Sequence, residues 1–194
     1  MALVVGLGNP GATYAETRHN VGFWVLERLV ARWRATEGER RSEYRSWNAR
    51  VGDADVALLE PRTFMNRSGD AVVAWREAHG LESTELLVAA DDVYLPVGHL
   101  RLRASGSSGG HRGLESVEQS LGTRDYVRLR IGVGAVAAAE LKEHVLEVPS
   151  ALELEALGEA ADAAAGAVES WLVDGIIVAM NRINRKVSKE VSES

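Results

Sequence analysis

Two short stretches of this chain, Ala2–Gly8 and Leu86–Ala90, contain no polar residue at all, and this limits the architecture more than any other feature. A run of five to seven apolar residues is too short for a buried helix and suits a strand covered on both faces. The first run stops at Asn9-Pro10-Gly11 and the second at Asp91-Asp92, so each ends abruptly in polar residues. Between them, Val21, Trp24, Val25, Leu29 and Trp33 recur at helical spacing and predict a helix over residues 20–34. Covered strands interleaved with amphipathic helices predict an α/β fold: one domain, a twisted mixed sheet, and helices on both faces in three layers.

The remaining segments fit that plan. Tyr44–Val51 and Val56–Leu59 read as a hairpin turning near Gly52-Asp53, after a polar stretch, residues 35–43, that reads as a loop. A helix is expected from Asn66 or Ser68, either of which is a capping residue type, to His79, with Gly80 as its stop. Leu100–Arg103 and Val127–Val133 read as strands around a Gly/Ser-rich loop and a short helix that ends near Gly122. Ser150 and Glu153 form a capping-box pattern that opens an Ala-rich helix to about Trp171, with a second piece over residues 175–185. Residues 1–186 are thus expected to form the domain and 187–194 a polar tail.

Composition narrows the function. At 194 residues with 46% apolar content the chain supports one core. No apolar run approaches the roughly 20 residues of a membrane span, and Met1 leads straight into a strand-like run, so no membrane association is expected. The absence of cysteine removes disulfides and thiolate metal sites and favours the cytoplasm. The net charge of −6 is unevenly spread. Gly98–Arg130 holds six arginines against three acids, whereas Ala135–Gly175 holds nine acids against Lys142 alone. The first region suits phosphate and the second does not.

Two Gly-rich patterns are decoys. Gly6-Leu7-Gly8-Asn9-Pro10-Gly11 matches a dinucleotide fingerprint, but about nine irregular residues separate it from the helix that should begin inside it. Gly106-Ser107-Ser108-Gly109-Gly110 matches a nucleophile elbow, with Asp125 and His144 following in order, in a loop so rich in Gly and Ser that the match carries little information. More telling is Thr17-Arg18-His19-Asn20, which places a histidine at the edge of the first helix. Asn9, Asn66 and Asp91 all stand where strands end or helices begin, and in an α/β sheet such ends gather around one crevice. A histidine oriented by a carboxylate, with carboxamide donors beside it, is a general-base hydrolase in outline. The five histidines show no metal-ligand spacing, so neither metal nor other cofactor is expected.

The blocks GLGNPGATYAETRHNVGF, PRTFMNRSG, the Asp pair of VAADDVYLP, SGGHRGL and RLRIGVG resemble, in order and spacing, those of the bacterial peptidyl-tRNA hydrolases. That resemblance implies hydrolysis of the ester between a peptide and the terminal tRNA ribose by a monomer, with His19 as general base and Asp91 holding it. It implies that Asn9 distinguishes blocked from free aminoacyl groups and that Asn66 binds substrate and stabilises the oxyanion. Tyr14, Phe64 and Met65 would line the groove, Asn20 would position the peptide backbone, and Arg103 and Arg130 would hold a tRNA phosphate. The Gly110-His111 loop would suit substrate or phosphate as well. Two departures stand out: Arg112 occupies a place where the family carries asparagine, and AVAAAE follows Gly134 in place of an Arg-Pro or His-Pro. Arginine donates but cannot accept, which favours phosphate binding over the ordering of water. It also suggests a rival, a tRNA- or RNA-binding paralogue with weakened turnover.

Overall fold

The computed structural model describes residues 1–80 and 85–190, without the side chains of 138 and 185–190. Seven strands form one sheet: β1 (Ala2–Gly6), β2 (Thr36–Arg40), β3 (Tyr44–Val51), β4 (Ala54–Pro61), β5 (Leu86–Asp92), β6 (Leu100–Arg103) and β7 (Val127–Gly132). Their order is β2-β3-β4-β1-β5-β7-β6. β4, β1, β5 and β7 run parallel, while β2, β3 and β6 are antiparallel to their neighbours, so the sheet is mixed as expected. β1 and β5, the strands that contain the two wholly apolar runs, lie side by side in its middle. β1 is buried beyond its first residue and β5 is buried throughout.

The helices are α1 (Val21–Trp33), α2 (Ser68–His79), α3 (Arg112–Leu121), α4 (Leu141–Leu146), α5 (Ala151–Asp174) and α6 (Ile176–Glu190). α1 and α5 cover one face, packing Val25, Leu26, Leu29, Ala161, Ala165 and Val168 onto Val4, Leu58, Leu87 and Leu129. α2 and α3 cover the other, packing Val72, Trp75, Leu114 and Val117 onto Leu3, Val5, Leu59 and Val88. Both faces of the sheet are therefore shielded, which is why β1 and the first five residues of β5 carry no polar side chain.

Two expectations change, and one helix is new. Residues 36–40, read as a loop, form the edge strand β2; it is polar because only one side meets a partner and most of its residues face solvent. Neither Asn66 nor Ser68 caps α2, because a 3-10 turn over Met65–Arg67 precedes it and the Ser68 hydroxyl donates back to Met65 O. α4 arises in a stretch whose sequence shows no apolar period. The capping box at Ser150 and Glu153 is present, while α5 runs on to Asp174 and α6 to Glu190.

The seat of α1 decides where the turn that leads into it, and with that turn His19, meets the sheet. Gly22, in the first turn of the helix, lies so close to the strands that a Cβ there would stand 2.5 Å from Leu7 N and O and 2.7 Å from Ala89 O. Glycine thus lets the helix start against the carboxyl ends of β1 and β5. Gly22→Ala is expected to destabilise the protein by about 1–3 kcal/mol, because the obstructing atoms are backbone and cannot turn aside. Urea unfolding at constant m-value checks this.

Candidate active site

A cleft of about 540 Å³ opens at the carboxyl ends of the parallel strands, where ligands enter α/β sheets. Asn9, His19, Phe64, Met65, Asn66, Asp91, His111, Arg112 and Arg130 all line it. Asp91, at the end of β5, is 2% exposed, and a carboxylate so deeply placed needs donors. Its Oδ1 receives two: His19 Nδ1 at 2.7 Å and His111 Nε2 at 2.8 Å.

The proton positions follow from the hydrogen-bond network. His111 Nδ1 caps α3, accepting from Gly113 N at 3.1 Å and Leu114 N at 3.2 Å, so its proton must sit on Nε2 and point at Asp91. His19 Nδ1 likewise donates to the carboxylate, which leaves its Nε2 lone pair for the cleft. The two rings lie 5.1 Å apart at 53°. Burial alone would push the His19 imidazole down, but the charge of Asp91 and the hydrogen bond to it prevail and hold it above its ordinary value, against a smaller opposing push from Arg112. Burial pushes the Asp91 carboxyl up, but the two histidines outweigh it and hold the group well below the usual carboxylate range. His19, Asp91 and His111 also bring three possible ligand atoms within 4.8 Å of one another. With its proton on Nε2, however, His111 offers a cation no lone pair there.

The carboxamides are equally constrained. Asn9 Oδ1 accepts from Met65 N at 2.8 Å, which turns the amide NH2 of Asn9 away as a donor. Asn9's backbone N–H and C=O are in turn clasped by Asn20, at 2.8 and 2.9 Å. Asn20 is 2% exposed and spends both ends of its carboxamide on Asn9. It lies outside the cleft lining, one layer behind the position expected of a peptide contact. Asn66 is exposed on its 3-10 turn, and among the described residues its side chain has no hydrogen-bond partner. Phe64, 60% exposed, stands at the rim, whereas Met65 is buried in the wall. Tyr14 is half-buried on a separate 3-10 turn and is not part of the lining.

Of the two arginines expected to meet phosphate, only Arg130 lines the cleft. It is already engaged, by Asp92 Oδ2 at 3.3 Å and by the carbonyls of Ser107 and Ser108 at 2.7 and 3.0 Å. Arg103 is exposed at the end of β6, outside the cleft. The elbow pattern does not assemble: Ser108 is no part of the lining, and His144 Nε2 donates to Val133 O instead of meeting a serine. One whole wall is absent from the sequence-based site: Leu141, Lys142, Val145 and Leu146 of α4, together with the exposed ring of Tyr94. Lys142, the single base in an acidic stretch, was the one available signal.

Fold and cleft together define an α/β enzyme whose site gathers at the strand ends around a carboxylate-oriented histidine. The chain belongs to the peptidyl-tRNA hydrolase family, whose model matches residues 3–191. It is 45% identical to the peptidyl-tRNA hydrolase of Roseiflexus castenholzii, over 95% of this chain and 87% of the relative. With that of Syntrophomonas wolfei it shares 43% identity over 95% of this chain and the whole of the relative. The crystal structure of peptidyl-tRNA hydrolase from Acinetobacter baumannii superposes with a TM-score of 0.89 at 35% identity, covering 95% of this chain and 94% of the other.

Asp91→Asn tests the electrostatics directly. With the carboxylate gone, burial is unopposed and the His19 titration should fall below about 6.5, a shift NMR can follow. A carboxamide can also donate to Nδ1 and so favour the tautomer with its proton on Nε2; turnover should fall by at least about 10²-fold.

Proposed function

We propose that this chain hydrolyses the ester between a peptide and the 3′-terminal ribose of tRNA, with His19 as the general base. The observation that carries the reading is the shared Oδ1 of Asp91, which fixes His19 as a donor on Nδ1 and leaves a basic Nε2 facing the cleft. Nε2 takes a proton from water as the oxygen attacks the ester carbonyl. The carbonyl oxygen, now an oxyanion, accepts from the Asn9 and Asn66 amide groups. Collapse breaks the bond to the ribose oxygen, which leaves as a hydroxyl by taking the proton from the His19 imidazolium, and the peptide departs as a carboxylic acid that gives its proton to solvent. Asp91 stays ionised throughout, stabilising the imidazolium while it exists.

Around this centre, Phe64, Met65 and Tyr14 would offer apolar surface to the substrate, while His111 orders Asp91 from behind. Arg130 and the exposed Arg103 would meet tRNA phosphate, and Arg112 adds an exposed cation to the cleft itself. We take residues 1–186 as the functional unit, acting as a monomer; no helix of the described residues is long and apolar enough to cross a membrane. The cysteine-free composition supports a cytoplasmic setting.

His19→Ala should abolish release of an N-blocked amino acid from tRNA while tRNA binding persists; retained turnover would remove His19 from the chemistry. The base must be neutral to act, so the rate should rise with pH through a value above about 6.5. Arg112→Asn removes a neighbouring cation. It should move that acidic limb to higher pH and raise KM for tRNA substrates, and a pH–rate series in low salt reads both effects.

A further inference from the structure

Arg18 is 6% exposed, an unusual place for a guanidinium, and it is the residue next to His19. Its NH1 donates to His144 O at 3.1 Å and Glu147 O at 3.5 Å, both on the last turn of α4 and the step beyond. Its NH2 meets both carboxylate oxygens of Glu153 at 3.2 and 3.0 Å. Its backbone N–H adds a bond to Glu147 O at 3.4 Å. Glu153 is in turn fixed in the capping box of α5, where bonds from the Ser150 hydroxyl and N–H, and then Arg18, lower its carboxyl to about 2.

The local geometry explains how one residue reaches so far. Arg18–Asn20 is a 3-10 turn, in which successive side chains point in three different directions. Arg18 goes to α4 and α5, His19 to Asp91, and Asn20 to the backbone of Asn9. α4 is also the wall that contributes Leu141, Lys142, Val145 and Leu146 to the cleft.

We propose that Arg18 is a positioning residue that joins the α4 wall and the His19 turn into one unit, so that the pairing of His19 with Asp91 holds only while α4 is seated. This rests on the reading of His19 as general base for its effect on turnover, but not for its effect on the imidazole itself. The charged and titratable groups around His19 are Asp91 from β5, His111 and Arg112 at the start of α3, the Asp92–Arg130 pair, and Lys142 from α4. Releasing Arg18 frees the His19 turn from its Asp91 partner and α4, with Lys142, from its seat, while Asp91, His111, Arg112 and the Asp92–Arg130 pair stay on elements Arg18 does not touch.

Glu153→Gln and Arg18→Lys in the full chain test this. Glutamine preserves the capping box while removing the charge that holds Arg18, and lysine keeps a cation that cannot reach three acceptors together. In both, the His19 imidazole should titrate closer to about 6.5 by NMR. kcat should fall on the order of tenfold, with KM changing less. Arg18→Ala should show the larger effect if it folds by circular dichroism. An unmoved His19 titration with unchanged kcat in the two folded, conservative variants would reduce Arg18 to a structural brace and overturn the proposal. Absence of hydrolysis in the wild type would instead overturn the functional reading, while the imidazole titration would still judge Arg18.

Discussion

The buried carboxylate of Asp91 organises this molecule. An ionised group with 2% of its surface exposed is costly by several kcal/mol unless donors replace water, and here two imidazole N–H groups converge on one oxygen. β5 is held between β1 and β7 by parallel ladders, and the β7 ladder continues through Asp91, so the carboxylate cannot move to find solvent. The chain must therefore bring the donors to it. One arrives on the turn before α1, the other on the residue that caps α3, and the cleft is the space left between those two approaches.

Much of this was legible in the sequence because it depends on local rules. The body of a strand buried on both faces is apolar, and where the apolar run stops the chain is at or near the strand's end, which is how Asn9 and Asp91 could be placed at a common edge. His19 stood out because Asn9, Asn66 and Asp91 fall at neighbouring element ends, not through its own place before a helix. The parts that stayed hidden depend on partners distant in sequence. β2 is polar because it is an edge, and polarity reads as loop. His111 lines the cleft as a substrate contact should, and only the folded structure shows that it also caps a helix with one nitrogen and serves Asp91 with the other. The reach of Arg18 to Glu153 spans 135 residues, beyond any local pattern.

The acidic C-terminal third also has a different meaning in the folded chain. Asp162 meets Arg28 and Arg32, Glu169 meets Arg32 and the Trp33 indole, and Asp174 meets Arg182. Such part-exposed pairs stabilise by little individually, yet they commit acids of α5 to bases of α1 and α6. An overall charge of −6 is thereby compatible with an anionic ligand, since much of the negative charge is committed elsewhere.

The orientation of Asn9 carries one more implication. With its carbonyl oxygen bound by Met65 N–H, the Asn9 side chain has its NH2 group left to offer as a donor. A substrate whose amino group has been acylated brings a carbonyl that such a surface welcomes. A substrate with a free amino group brings three N–H bonds and a positive charge to a place that already presents its own. On the reading proposed above, a preference for an acylated over a free amino group rests on the direction of a single amide, settled by folding before any ligand arrives.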